Sequence, residues 1–208
     1  LHENGCDLII AVDNGIRCHK EIALAKELGM EVIIIDHHAP ADTLPEADAI
    51  IDFYVDGETY PYIELAGCGV AFKVSCYLYE QFGFGIEEGY KNIDIAAIGT
   101  IADVVPLTGE NRIIVKEGLK YINDPAYDRI GIISLMNVFE IESGTLTSMD
   151  IGFKIAPALN APGRLLDEGA GDALELLLCE DEVEAINIAM DLKAVNDERK
   201  SITQECLI

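Results

Sequence analysis

Two short apolar runs, DLIIAV at residues 7–12 and EVIII at 31–35, flank a segment whose apolar residues Ile22, Ala23, Leu24, Ala25 and Leu28 recur with helical spacing. Asn14-Gly15 supplies a turn after the first run, and Gly29 stands where a glycine closes a helix. Strand, helix and strand in this order predict a βαβ unit, with parallel strands buried on both faces and a right-handed crossover. The constraint is directional, because parallel strands end at the same edge of the sheet. Asp13, which follows the first run, and Asp36-His37-His38, which follow the second, are therefore predicted to share the carboxyl edge, where open α/β sheets place their ligands.

The pattern continues with a third strand over Ala49 to Phe53 and a turn-rich acidic loop from Val55 to Pro61. Gly67 to Gly69 lead into a helix from Val70 to about Phe82; the GCG spacing suits close packing better than phosphate binding. Residues 93–105, IDIAAIGTIADVV, are apolar nearly all round and predict a buried helix in which Asp103 is the exception. Further helices are predicted over Arg112 to Ile122, Ile130 to Phe139, Gly171 to Leu178 and from Asp181 onward. Thr147 with Asp150 reads as a helix start, and LNAPGRL at 159–165 as a break in regular structure. The fold class is α/β: a parallel sheet with flanking helices, followed by a helical region and a long connecting helix.

Composition bounds the partners. Fourteen Lys and Arg against thirty-eight Asp and Glu give a net charge of -24, which excludes a surface that holds nucleic acid by phosphate neutralisation alone. A polyanionic substrate would need cations at the site itself. The six cysteines, Cys6, Cys18, Cys68, Cys76, Cys179 and Cys206, form no CxxC pair and suit free thiols in a reducing compartment, so a cytoplasmic location is predicted. No apolar run is long enough to predict a membrane helix. The chain opens at Leu1 without methionine and stops at Ile208 inside a helical pattern, which predicts a fragment of a longer protein.

Asp13, Asp36, His37, His38 and Asp103 are hard-oxygen and imidazole ligands of the kind that suit Mn²⁺, and Mg²⁺ less well once imidazole joins. An adjacent His pair at a strand end has a plain explanation as surface residues; an aspartate ending the neighbouring strand of the same βαβ unit favours a shared cluster. Asp103 in an apolar helix would cost several kcal/mol unless paired or bound to a metal. A helix-end carboxylate facing water is the competing reading.

VDNGI (12–16), DHH (36–38), LPEADAI (44–50), GCGVAFK (67–73), GTIADVVPLTGENR (99–112) and DIGFKIAPALNAPGRL (150–165) together resemble the DHH phosphoesterases, in particular their RecJ-like branch of single-strand-specific 5′→3′ exonucleases. The resemblance runs through essentially the whole chain, and GTIADVVPL with NAPGRL is the specific part. It implies Asp13 as a metal-bridging ligand, His37 and Asp103 as further ligands, Asp36 as the residue that holds an imidazole, and His38 as the residue facing the scissile phosphate. It places Asn160 and Arg164 near the substrate phosphate, the plain alternative for Arg164 being an ion pair with Asp167 or Glu168.

The same resemblance implies a two-metal Mn²⁺ site in the intact protein, with Mg²⁺ as the alternative ion, and hydrolysis of single-stranded DNA in repair and recombination. A single-strand-binding protein and a helicase are the accessory partners it suggests. Residues 1–180 would be the DHH domain without the family's acidic first motif, which nothing before Leu8 supplies, and 181–208 the start of a connector to a further domain. A fragment lacking that motif is expected to be inactive alone. The rival enzyme reading is a phosphodiesterase for short oligonucleotides or cyclic dinucleotides; a degenerate, non-catalytic binding module is the rival from another class.

Overall fold

β1 (Leu8–Val12) and β2 (Glu31–Ile35) pair in parallel along their whole length, from Leu8 opposite Glu31 to Val12 opposite Ile35. The crossover is α1 (His19–Glu27), which stops where Gly29 adopts φ +79° and the Met30 amide turns back to the Ala25 carbonyl at 3.0 Å. β3 (Ala49–Ile51) adds a third parallel strand on the other side of β2. It is shorter than its sequence suggests. The Asp52 carboxylate accepts the Tyr54 amide at 2.9 Å and bends the chain away before Phe53 can pair.

These coordinates are a computed structural model, which describes residues 1–165 and 170–205. They fall into two compact units, Leu1–Lys116 and Glu117–Ile208.

In the first unit, residues opposite one another in the sheet share a face. Val32 and Ile34 are buried with Ile22, Ala25 and Met30 beneath α1, and Ile9 packs against them. On the other face Ile35 joins the apolar side chains of α2 (Gly67–Gln81) and of α4 (Ile93–Ala102), with Ile33 and Ile51 packed alongside. That cover stops short of β1, whose Leu8, Ile10 and Val12 are 43%, 50% and 46% exposed. The expectation of strands buried on both faces therefore holds for β2 and fails for β1, an edge strand among the described residues.

Four details revise the sequence reading. Gly67 to Gly69 form the first turn of α2 rather than its approach. The short helix α3 (Ile86–Tyr90) intervenes before α4. α4 ends at Ala102, so Asp103 caps the helix and does not sit within it. α5 (Gly109–Ile122) follows, beginning three residues earlier than Arg112.

In the second unit α6 (Ile130–Val138) packs on α10 (Gly171–Leu178) and on α11 (Glu182–Glu205). Thr147 and Asp150 form a reciprocal capping box that opens α7 (Ser148–Asp150). The chain then widens into a π-helical segment, Ile151–Ile155, and returns to α8 (Ala156–Asn160) and α9 (Pro162–Leu165). LNAPGRL is thus largely helical, with the break confined to Ala161, because Pro162 can open a new turn where it could not continue the old one. Asp181 caps α11 by accepting the Val183 and Glu184 amides at 2.9 Å each.

Contact between α6 and α10 depends on Gly131, where a Cβ would meet the Leu176 carbonyl oxygen and stand 2.8 Å from its carbon. Backbone cannot yield as a side-chain tip can. Gly131→Ala is expected to destabilise this unit by about 2 kcal/mol, read as a lower urea midpoint at constant slope.

Candidate metal centre

Val12, Ile35 and Ile51 are aligned across the sheet, so the next residue of each strand, Asp13, Asp36 and Asp52, forms a row along its carboxyl edge. The Asp13 amide donates to the Ile35 carbonyl at 2.8 Å and the Asp36 amide to the Ile51 carbonyl at 3.0 Å, which extends the ladder into the row. Neighbours in such a row are about 5 Å apart. Three carboxylates at that spacing repel one another, and each meets the problem differently.

Asp36 is buried, 1% exposed, and collects donors. Its Oδ2 accepts the Ile16 amide at 3.0 Å; its Oδ1 accepts the His37 amide at 2.8 Å, the His38 amide at 3.2 Å and the His38 ring Nδ1 at 2.7 Å. Burial pushes its pKa up, but the Ile16 amide, the His38 ring and the two neighbouring amides outweigh it and hold the carboxyl below the ordinary aspartate range. The same bond raises His38: the Asp36 carboxylate stabilises its imidazolium more than partial burial opposes it, and Asp13 and Asp103 add to the effect. With Nδ1 committed to Asp36, His38 has only Nε2 to offer, and the ring is 58% exposed.

Asp13 has a left-handed backbone, φ +58°, in which a non-glycine residue is uncommon unless its surroundings enforce it. Gly67 stands against it. A Cβ on Gly67 would overlap the Asp13 carboxylate and come within 2.6 Å of its Cγ, so the first turn of α2 can close on Asp13 only because residue 67 has no side chain.

His37 points into this corner. Its Nε2 lies 3.0 Å from Asp13 Oδ1 and 3.6 Å from Asp103 Oδ2, yet it is buried and makes no hydrogen bond. Asp103 is exposed at the C-terminal end of α4, which removes the argument for a ligand from burial inside an apolar helix. The fully buried carboxylate of that helix is Asp94. The helix-end position is nevertheless the one that brings Asp103 to His37. Burial pushes the Asp103 carboxyl up, Asp13 adds to the shift and His37 offsets part of it.

This donor set fits a divalent ion. Atoms bound to one ion at about 2.1 Å and at right angles stand about 3 Å apart, close to the separations around His37 Nε2. A buried imidazole nitrogen that makes no hydrogen bond and faces two carboxylates at 3.0 and 3.6 Å is well matched with a cation between them. Donor atoms of Asp13, His37 and His38 also lie within 4.8 Å of one another. Of the two histidines His37 is the one whose Nε2 is buried between two carboxylates, while the more exposed His38 ring has Nδ1 held by Asp36 and its Nε2 free. Cys68 is no competitor; burial pushes its thiol up to about 11.

Asp52 went unnoticed in the sequence. It is 2% exposed and its Oδ2 has no partner; burial raises its pKa and the Asp36 charge adds to the shift, against the Tyr54 amide. The available signal was positional, for it ends the third strand as Asp13 and Asp36 end the first two. Asn160, the last residue of α8, and Arg164, in α9, are both exposed and belong to the second unit. Asp167 and Glu168, the alternative partners of Arg164, lie outside the described residues, as does Cys206.

Residues 2–100 match the model of the DHH family, N-terminal domain. Residues 2–100 are a DHH-family domain. It is 41% identical over 205 residues to the single-stranded-DNA-specific exonuclease RecJ of Bacillus subtilis, covering 99% of this chain and 25% of that protein. To the Escherichia coli protein of the same name it is 40% identical over 212 residues, 98% of this chain and 36% of that one. Among solved structures it resembles the crystal structure of Thermus thermophilus RecJ in complex with Mn²⁺, with TM-score 0.85 and 35% identity over 99% of this chain and 30% of that one. A crystal structure of exonuclease RecJ bound to manganese matches with TM-score 0.86 and 35% identity, over 99% of this chain and 50% of that one. The chain thus spans between a quarter and about a third of these two curated relatives.

Two measurements probe the electrostatics of the DHH edge. Because the pKa of Asp52 is higher in the folded state, its ionisation weakens the fold as pH rises through the ordinary aspartate value of about 4. Asp52→Asn is therefore expected to stabilise the metal-free chain by about 1 kcal/mol at pH 7, a gain that disappears below about pH 4, read from thermal melts at the two pH values. For His38 the sign is opposite. Its contribution is present at acidic pH and lost as pH rises through its raised pKa, so its NMR titration should be centred above about 6.5 and move down in Asp36→Asn.

Proposed function

We propose that this chain is the catalytic core of a divalent-metal-dependent exonuclease that hydrolyses the phosphodiester bonds of single-stranded DNA from the 5′ end, acting in repair and recombination in the cytoplasm. The observation that carries the proposal is the buried, unpartnered Nε2 of His37 between the carboxylates of Asp13 and Asp103. Asp13, His37 and Asp103 would hold the ion, Mn²⁺ or Mg²⁺, the ions named for the crystal structures of RecJ. When bound it would lower the pKa of a water and neutralise charge on the scissile phosphate.

The chain's own residues prepare that reaction. Asp36 orients the His38 ring through Nδ1 and favours its cationic form, so that Nε2 can donate a proton in a hydrogen bond to a phosphate oxygen. Asn160 and Arg164 would bind phosphate, the guanidinium as a planar fork. The names of the relatives favour long single strands over short oligonucleotides or cyclic dinucleotides as substrate. A single-strand-binding protein and a helicase are the accessory partners of this reading. No helix of the described residues is long and apolar enough to cross a membrane.

The test pairs calorimetry with activity. Mn²⁺ should bind the intact protein and lose at least about 100-fold in affinity in His37→Ala and Asp13→Asn, with a parallel loss of nuclease activity on 5′-labelled single strands. Asparagine tolerates the left-handed backbone at position 13, so the second variant changes charge and spares the fold. Full activity in either variant would overturn the proposal.

A further inference from the structure

One cavity of the first unit borders the metal residues and continues past them along the β1–α1 loop. It has a volume of about 290 Å³ and lies between the β1–α1 loop and the residues after β2, lined by Asn14, Ile16, Arg17, His38 and Ala39 and by the carboxylate residues Asp13 and Asp36. The size is at the small end for a ligand pocket and suits a single phosphate group with its ester substituent.

Its walls are built in advance. The Ile16 amide is tied to Asp36 at 3.0 Å, and the Cys18 thiol donates to Asn14 Oδ1 at 3.4 Å. Gly15 takes φ +115°, and a Cβ there would crowd Ala11 and Ile34 at 3.2 and 3.3 Å, so only glycine lets the loop lie this low on the sheet. Arg17 then reaches across the gap and donates from Nε to the Ala39 carbonyl at 2.8 Å. That bond fixes the plane of the guanidinium and leaves its terminal nitrogens without partners among the described residues. Although Asp13 and Asp36 line the same cavity, Arg17 forms no ion pair with either.

We propose that this cavity is a phosphate subsite in which the guanidinium of Arg17, fixed on Ala39, binds a nucleotide phosphate beside the one facing His38. The assignment rests on the proposed function and deepens it. Arginine suits the task because two parallel N–H groups match two oxygens of a phosphate. Asp13 opposes an anion here as long as its own charge is uncompensated, so the subsite should gain affinity when a divalent ion is bound, and by linkage the ion should gain as much from phosphate. Arg164, in the other unit, is a separate cation and plays no part in this assignment.

The experiment is calorimetric titration of inorganic phosphate into the Mn²⁺-saturated intact protein and its Arg17→Gln and Arg17→Lys variants, with Mn²⁺ affinity and melting temperature measured for each. Phosphate affinity should fall about tenfold in Arg17→Gln, and less in Arg17→Lys, which keeps the charge and loses the fork; Mn²⁺ affinity in the absence of phosphate should be unchanged. Equal phosphate affinity in all three proteins, with Mn²⁺ bound, would overturn the subsite and leave the metal reading intact. Failure of the wild-type protein to take up Mn²⁺ would overturn the metal reading and this one with it.

Discussion

Everything at the functional edge hangs on the buried carboxylate of Asp36. A bare ion at 1% exposure would cost several kcal/mol, and it is stable there because three amides and one imidazole converge on its two oxygens. Those donors come from two loops. The Ile16 amide belongs to the turn that follows β1, whereas the His37 and His38 amides and the His38 ring belong to the turn that follows β2. Solvating one charge thus fastens the two loops of the βαβ unit together and aims His38 outward. Removing the carboxylate would release the loop carrying Arg17 and the His38 ring at the same time.

Asp13 shows the complementary device, in which strain is accepted for position. Its left-handed backbone costs about 1 kcal/mol or more, and the approach of α2 at Gly67 leaves little room for other arrangements of its side chain. The carboxylate is therefore placed beside His37 before any ligand arrives. Such a corner is pre-organised at the expense of stability, which the apolar cover on both faces of β2 can offset.

The βαβ unit and the clustering of Asp13, Asp36 and the two histidines were legible because parallel strands leave no choice of edge, and the alternation of elements is written in hydrophobic period. For Asp103 the expectation of a carboxylate buried within a helix fails, although the residue does lie 3.6 Å from His37 Nε2. An apolar run reads as continuous helix, whereas α4 stops one residue before Asp103 and turns that cap toward His37. Asp52 was missed because a strand's last residue is invisible until its partner strand sets the register, and β3 itself is too short to announce where it ends. In LNAPGRL the proline and glycine suggested a loop, while the packing of α8 and α9 around Pro162 made helix of it. Local signals predict breaks, and tertiary contacts decide how long they are.

The charge of the chain imposes an order on events at this edge. At a net charge of -24, with three aspartates in a row, the field at the strand ends repels phosphate, and a unit charge about 4 Å away contributes roughly 4 kcal/mol near a protein surface. Arg17 and His38, even with the ring protonated, bring two positive charges against the four carboxylates of Asp13, Asp36, Asp52 and Asp103. On the proposed reading a divalent ion at His37 offsets the difference, because it adds two positive charges at the point where the carboxylates converge. Cation must then precede anion: the acidic surface that excludes indiscriminate nucleic-acid binding becomes locally receptive only where an ion is held. On the same reading the attraction is confined to one corner of the sheet and falls off within about 10 Å at ordinary salt.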